Sequence, residues 1–508
     1  MPRVTTIRNS SFLFLFSLIA ITLIGNSSAV AQQDSAKKSL SLAGIFGNNM
    51  VIQQQADAAI WGQAKPNADV AVAVSWGKEI AKATADDQGN WKATVKTPAA
   101  GSGALKIIVK SNNEKVELKN VLAGEVWICS GQSNMQWKMR GFGVDHFKED
   151  VVKADHPNIR YCHIPQIMSL EPQDSLPCRW STCSPKTVLE YSAVAYFFAE
   201  RLERELGVPI GLVSTNWGGS SAEAWIGKNW LEKDFPEFNK HYKGYPKVIA
   251  DSGATFKRGK SPKGINHRLP SVLYNKMIRP LLSLKIRGVI WYQGESNIKE
   301  PQQYRTLFPA LINSWRSEWD QGDFPFYFVQ IAPFKYKNNP YPAALLREAQ
   351  LQTLSVANTG MAVTMDIGAV DNIHPKEKKP VGERLALLAL AKDYGQKDLV
   401  YSGPSYTSHK VQKKKIRLSF DHVGGGLASR DDQPLSHFTI AGKDKVFVPA
   451  KAEIDGETVV VSSDKVANPV AVRYGWGNAD APNLMNKEGL PSSSFRTDDW
   501  PTKATNKK

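Results

Sequence analysis

Val126-Trp127-Ile128-Cys129-Ser130-Gly131-Gln132-Ser133-Asn134-Met135 is the stretch on which the fold turns. Its first four residues form a short apolar run, the signature of a strand buried on both faces, and the run stops abruptly in a small polar turn. The same pattern recurs downstream. Ile210-Gly211-Leu212-Val213 leads into Ser214-Thr215-Asn216-Trp217-Gly218-Gly219-Ser220-Ser221. Gly288-Val289-Ile290-Trp291 leads into Tyr292-Gln293-Gly294-Glu295-Ser296-Asn297, and Ala362-Val363-Thr364-Met365 leads into Asp366 and then Asp371-Asn372-Ile373-His374-Pro375. Phe326-Tyr327-Phe328-Val329 is a further apolar strand. Between these runs lie helical stretches. In one of them Val194, Phe198, Leu202 and Leu206 recur every four residues until Gly207 and Pro209 stop the helix. Strand and helix in alternation imply an α/β domain with a mostly parallel sheet, over residues 121–395.

The flanks read differently. In residues 41–120, Trp91, Ala93 and Val95 share one strand face after the turn cluster Asp86-Asp87-Gln88-Gly89-Asn90. Ala71–Val74 and Leu105–Val109 are further short strands, which predicts a small β-sandwich. In residues 396–508, Ile416, Leu418 and Phe420 alternate, and Asp455-Gly456 marks a hairpin between Ala452–Ile454 and Thr458–Val461. Residues 230–272 are polar, basic and weakly periodic, and read as a long loop or insertion.

Composition narrows the function. The chain has 508 residues, of which 42% are hydrophobic and 22% charged, an ordinary globular balance that excludes a disordered chain. Residues 1–31 read as a secretory signal peptide. Arg3 and Arg8 precede the apolar run Phe12–Ile24, and Ala29-Val30-Ala31 is a small-x-small cleavage signal. Residues 32–40 read as a linker. No later run is long enough to span a membrane, so export to the periplasm or the exterior is expected. The net charge of +16 is diffuse, and its densest run, Lys413-Lys414-Lys415, sits beside an alternating strand. No nucleic-acid-binding motif accompanies it. Cys129, Cys162, Cys178 and Cys183 would enter an oxidising compartment, with their pairing open. No metal-site spacing is present. Gly253–Ser261 imitates a P-loop but has five residues between its glycines where four are needed, with no apolar strand before it.

Ligands of an open parallel sheet bind beyond the carboxyl ends of its strands. There the turns supply a hydroxyl, an imidazole, carboxylates, an amide and flexible backbone, the parts for acyl transfer through a serine. A carboxylate three residues before an imidazole can fix its tautomer, which points to Asp371 and His374, with Asp366 as a competing carboxylate. Ser133 could instead be a helix N-cap, and Glu295 a brace for its turn rather than acid–base machinery.

Taken in order, Gly131–Met135, Asn216–Gly219, Trp291–Asn297 and Asp371–Pro375 resemble the motif blocks of the sialate O-acetylesterase family, a branch of the SGNH hydrolases. Phe46–Gln54, Trp61-Gly62, Leu273–Asn275, Leu346–Gln350 and Asn486–Pro491 extend the resemblance over nearly the whole chain after residue 31. The resemblance implies a three-layer α/β/α, flavodoxin-like catalytic domain between β-rich flanks, and a serine esterase that removes O-acetyl groups from carbohydrates. Ser133 would be the nucleophile, His374 the base and Asp371 its orienting carboxylate. The oxyanion donors would be the backbone N–H of Ser133, that of Gly219 or Gly218, and the side-chain amide of Gln293. No metal or organic cofactor is implied. The expected partner is an acetylated glycan, with 9-O-acetyl sialic acid first and acetylxylan or another polysaccharide as the alternative. A glycan-binding protein that has lost catalysis is the rival from a different class.

Overall fold

A computed structural model describes residues 39–143, 145–336 and 342–501. The proposed leader lies outside the described residues, as does most of the linker. The core of the molecule is a mixed sheet built on one long strand, β1 (Glu114–Gly131). Its other members are β2 (Ile159–His163), β3 (Trp180–Thr182), β4 (Ile210–Asn216), β5 (Gly288–Tyr292), β6 (Phe326–Val329) and β7 (Thr359–Ala362). They run in the order β3-β2-β4-β1-β5-β6-β7. All neighbours are parallel except β3 on β2.

Alternation along the strands divides the apolar side chains between the two faces. Trp127, Cys129, Leu212, Ile290 and Tyr327 share one core with helices α2 (Ala193–Leu206) and α5 (Lys378–Asp393). Val126, Ile128, Val213, Val289, Trp291 and Phe328 share the other with helix α3 (Pro301–Trp319). Two shorter helices matter later: α1 (Ser133–Gln136) and α4 (Pro342–Gln352).

The boundary expected at residue 120/121 falls inside β1. Its first half pairs antiparallel with Leu105–Ser111 of the N-terminal β region, and its second half pairs parallel with β4 and β5. Hydrogen bonding therefore runs unbroken from the flank into the central sheet. At the C-terminal end, Lys451–Asp455 and Thr458–Ser462 form the expected hairpin, with Gly456 in the left-handed region at φ 62°.

Residues 230–272 are not the loop that their weak periodicity predicts. Short helices cover Lys228–Asp234 and Tyr245–Ser252, and Thr255–Lys257 pairs with Ile167–Ser169. Leu231, Phe235, Phe238, Tyr242, Tyr245 and Phe256 are buried. Each element is too short to show a repeat, so the periodic signal failed where burial succeeded. Cys162 and Cys178 are joined in a disulfide, and Cys129 and Cys183 are free and buried. No described helix is long and apolar enough to cross a membrane.

Trp291 marks the centre of the α3-side core. It is fully buried, with ring centroids of Trp315 at 5.9 Å, Trp225 at 6.1 Å and Phe308 at 6.3 Å. Trp291→Ala is expected to destabilise the protein by about 3–5 kcal/mol, measured by urea unfolding, because so rigid a surround cannot collapse onto the cavity.

Candidate active site

The carboxyl ends of β1, β4 and β5 open into a cleft of about 890 Å³. Ser133, Gly218, Gly219, Glu295 and His374 all line it. Ser133 stands at the start of α1, directly after β1. The turn that presents it requires Gly131, whose φ is 132°. A Cβ there would lie 2.2 Å from the Tyr292 carbonyl oxygen of the neighbouring strand.

His374 arrives from the loop between β7 and α5. Its Nε2 lies 2.9 Å from Ser133 Oγ, across 241 residues of sequence. The Asn372 side chain accepts the His374 backbone N–H at 2.9 Å, and the ring packs against Trp137 with centroids 4.5 Å apart. Half-burial, aided by the Lys378 cation, holds the imidazole pKa below its ordinary value.

The two candidate carboxylates sit differently. Asp366 is held by Arg384 in a two-pronged ion pair, at 2.8 and 2.6 Å, and does not reach the imidazole. Asp371 is exposed, and no hydrogen bond joins its carboxylate to His374 among the described residues.

The candidate oxyanion donors also divide. The Gly218 N–H donates to Gln136 Oε1 at 2.7 Å. The N–H groups of Ser133 and Gly219 donate to no protein group among the described residues. Gly219 has φ 79°, and Arg268 Nε donates to its carbonyl at 2.8 Å, fixing the turn from outside. Gln293 lies elsewhere. Its amide donates to Asn297 Oδ1 at 2.7 Å and to the Ser220 carbonyl at 3.2 Å, while Tyr304 donates to its oxygen. Fully buried and with both amide hydrogens committed, it braces the core behind the cleft instead of facing a substrate. That corrects its assignment as a donor.

Residues 123–391 match the family described as carbohydrate esterase, sialic acid-specific acetylesterase. The chain belongs to this family. It is 32% identical to mouse sialate O-acetylesterase over 490 residues, covering 87% of this chain and 90% of the relative. It is 29% identical to the human protein of the same name over 484 residues, covering 87% and 88%. A carbohydrate acetylesterase from Xanthomonas citri superposes with a TM-score of 0.79 at 37% identity, covering 91% of this chain and all of that one. The chain is thus a carboxylic ester hydrolase that removes O-acetyl groups from carbohydrates.

Several residues of this esterase site escape sequence reasoning. Gln132 Oε1 accepts from the backbone N–H groups of Ser296 at 3.2 Å and Gly294 at 3.4 Å, tying the β5 turn to the residue before Ser133. Gln136 anchors Gly218, and Arg268 anchors Gly219. All three lie in or near the motif blocks, but nothing in a single sequence distinguishes an anchoring amide from a solvated one. Lys378 is fully buried, and no spacing rule announces a buried lysine. Titration of the His374 ring by NMR in the resting protein is expected to give a pKa below the ordinary ~6.5 of histidine. A value at or above that would contradict the half-buried, cation-facing environment.

Proposed function

We propose that this carbohydrate acetylesterase works through Ser133 and His374, in a three-layer SGNH-type catalytic domain. The observation that carries the reading is the 2.9 Å Ser133–His374 hydrogen bond at the carboxyl edge of the sheet. The two helix-lined cores on opposite faces of that sheet support the layering. His374 takes the serine proton as Oγ attacks the acetyl carbonyl. The backbone N–H groups of Ser133 and Gly219 receive the charge that builds on the carbonyl oxygen. The sugar hydroxyl leaves with the proton from His374, and water then hydrolyses the acetyl-enzyme along the same path. Asp371, three residues before His374, is the carboxylate available to swing onto the free Nδ1 as substrate tightens the site. Hydrogen bonds of this kind often close only in the Michaelis complex.

The substrate in this reading is an O-acetylated acidic sugar of the sialic acid type. Five cations line the cleft: Lys138, Arg140, Arg258, Arg268 and Lys299. Glu190 neutralises the first two. Arg258, Arg268 and Lys299 have no carboxylate partner among the described residues, so an anion on the substrate meets unspent positive charge. The names of the mouse and human relatives point the same way. Export as a periplasmic or extracellular protein is part of this proposal. Its supports are the leader-like first 31 residues and the Cys162–Cys178 disulfide, a bond that persists in oxidising compartments.

Ser133→Ala is expected to abolish acetate release from a chromogenic acetate ester, and an unchanged rate would end the serine reading. Asp371→Asn is expected to lower kcat by about 10⁴-fold, as loss of an orienting carboxylate does. Wild-type turnover would leave Asp371 a surface residue.

The acid limb of kcat/KM is expected below pH 6.5, because the base loses function only when its lowered pKa is crossed. That places the limb on the low side of the ~6.5 of an unperturbed imidazole.

For substrate, kcat/KM on O-acetylated sialic acid is expected to exceed that on acetylxylan and to fall with added salt, as screened attraction requires. Equal rates on both, indifferent to salt, would favour a neutral polysaccharide.

A further inference from the structure

Behind Ser133 and His374 lies a second polar constellation, which the ester chemistry does not use. Lys378 is the first residue of α5 and has no exposed surface, and Glu295 is 7% exposed. Between them sits Asn134, also fully buried. Lys378 Nζ donates to Asn134 Oδ1 at 2.6 Å. Asn134 Nδ2 donates to Glu295 Oε1 at 2.6 Å and to the Ile373 carbonyl at 3.1 Å.

We propose that Lys378, Asn134 and Glu295 are positioning residues, a buried cation–amide–carboxylate chain that locks the nucleophile and the base into register. The inference rests on the Ser133–His374 reading above. Asn134 follows Ser133 directly in sequence, and Ile373 directly precedes His374. One amide therefore fastens the backbone next to the nucleophile to the backbone next to the base. Glu295 extends the fastening to the β5 turn, whose backbone Gln132 grips from the other side of Ser133.

The chemistry explains the residue types. The central position must accept from an ammonium and donate to two oxygens, which a carboxamide does and a carboxylate or hydroxyl of similar size does not. Burial without counter-charge would expel either ion, so the lysine and the glutamate each need the other. Burial pulls the Lys378 pKa down to about 7 while Glu295 opposes the fall. Burial raises the Glu295 pKa, and Asn134 and Lys378 oppose the rise. The Lys378 cation also faces His374 and holds its pKa down. Among the described residues, the other charged or titratable groups around the cleft are Lys138 and Arg140 with Glu190, Arg258, Arg268 and Lys299 on the walls, Asp371 at the surface, His267 beside Gly219, and Tyr292, whose ring lies under Lys378 Nζ. All of these are retained in the variants below.

Three variants of the full chain test the network on a chromogenic acetate ester. Asn134→Asp still accepts from Lys378 but loses both donations. It is expected to lower kcat about 10- to 100-fold with KM within about threefold, the scale of an ångström-sized misplacement. Lys378→Met removes the cation and is expected to lower kcat and to move the acid limb of kcat/KM to higher pH. Lys378→Arg keeps the cation and the donor, and is expected to hold the limb at its wild-type position and restore most of kcat. A merely structural lysine would not move the limb. Wild-type kcat in Asn134→Asp would overturn the proposal, and so would a wild-type limb in Lys378→Met. Should Lys378→Met fail to fold by near-UV circular dichroism, the isosteric Asn134→Asp decides alone. Ser133→Ala run in parallel separates the two readings. Activity surviving there defeats the serine mechanism, whereas its loss beside indifferent network variants defeats only the network.

Discussion

The contact between Ser133 Oγ and His374 Nε2 constrains everything around it, because its two ends lie 241 residues apart and reach the same point from different parts of the sheet. One end rides on β1, pressed so closely against β5 that position 131 has no room for a Cβ. The other ends a loop that begins at the edge strand β7. What closes the gap is a single pentapeptide. Gln132 holds the β5 turn, Ser133 meets the imidazole, Asn134 holds the residue before it, and Gln136 holds the glycine turn after β4. Three loops, after β4, β5 and β7, are thereby referred to one short segment. The side chains doing this are mostly amides, which can accept and donate at once and so can bridge backbones of either polarity.

Much of this was legible in the sequence, and the physical reason is simple. A parallel strand buried on both faces is a contiguous apolar run, and its end is marked by the small residues of the turn, so the four turns around the cleft could be found without coordinates. The Asp455-Gly456 hairpin was legible for a similar reason, since a two-residue turn demands its own residue types. Residues 228–257 were not. Six of their large apolar residues are buried, but they are dispersed over elements of one or two turns, shorter than a repeat needs to declare itself. Near residue 120 the strand β1 changes partners without any break in its own pattern, so one strand serves both the flank and the central sheet.

Side-chain roles were less legible than the elements that carry them. Gln293 sits in the right block, but a neighbouring carbonyl and Asn297 absorb its amide. Spacing to His374 favours Asp371 over Asp366, and the Arg384 ion pair that holds Asp366 is visible only in three dimensions. Partners such as Ser220, 73 residues from Gln293, and Arg384, 18 from Asp366, come from other elements, and no motif spacing encodes them.

The electrostatics of the cleft bear on why a carboxylate is needed at all. In the proposed mechanism His374 must be neutral to accept the serine proton, and the nearby Lys378 favours that state. Once the proton is transferred, the same lysine opposes the imidazolium, so the field that prepares the base works against the intermediate it forms. The oxyanion offsets part of this, but it lies on the substrate side of the ring, near the Ser133 and Gly219 N–H groups. The far side, at Nδ1, is where a negative charge would act without competing for those donors. Glu295 accepts from Asn134 through Oε1, and Asp366 is spent on Arg384. Asp371 and Glu377 are the carboxylates left on the histidine's own loop, and the proposal takes Asp371, which is exposed and lies three residues before the imidazole. Under the proposed mechanism, a carboxylate withdrawn at rest that closes onto the imidazolium as charge develops would reconcile a low-pKa base with a cationic intermediate on one side chain.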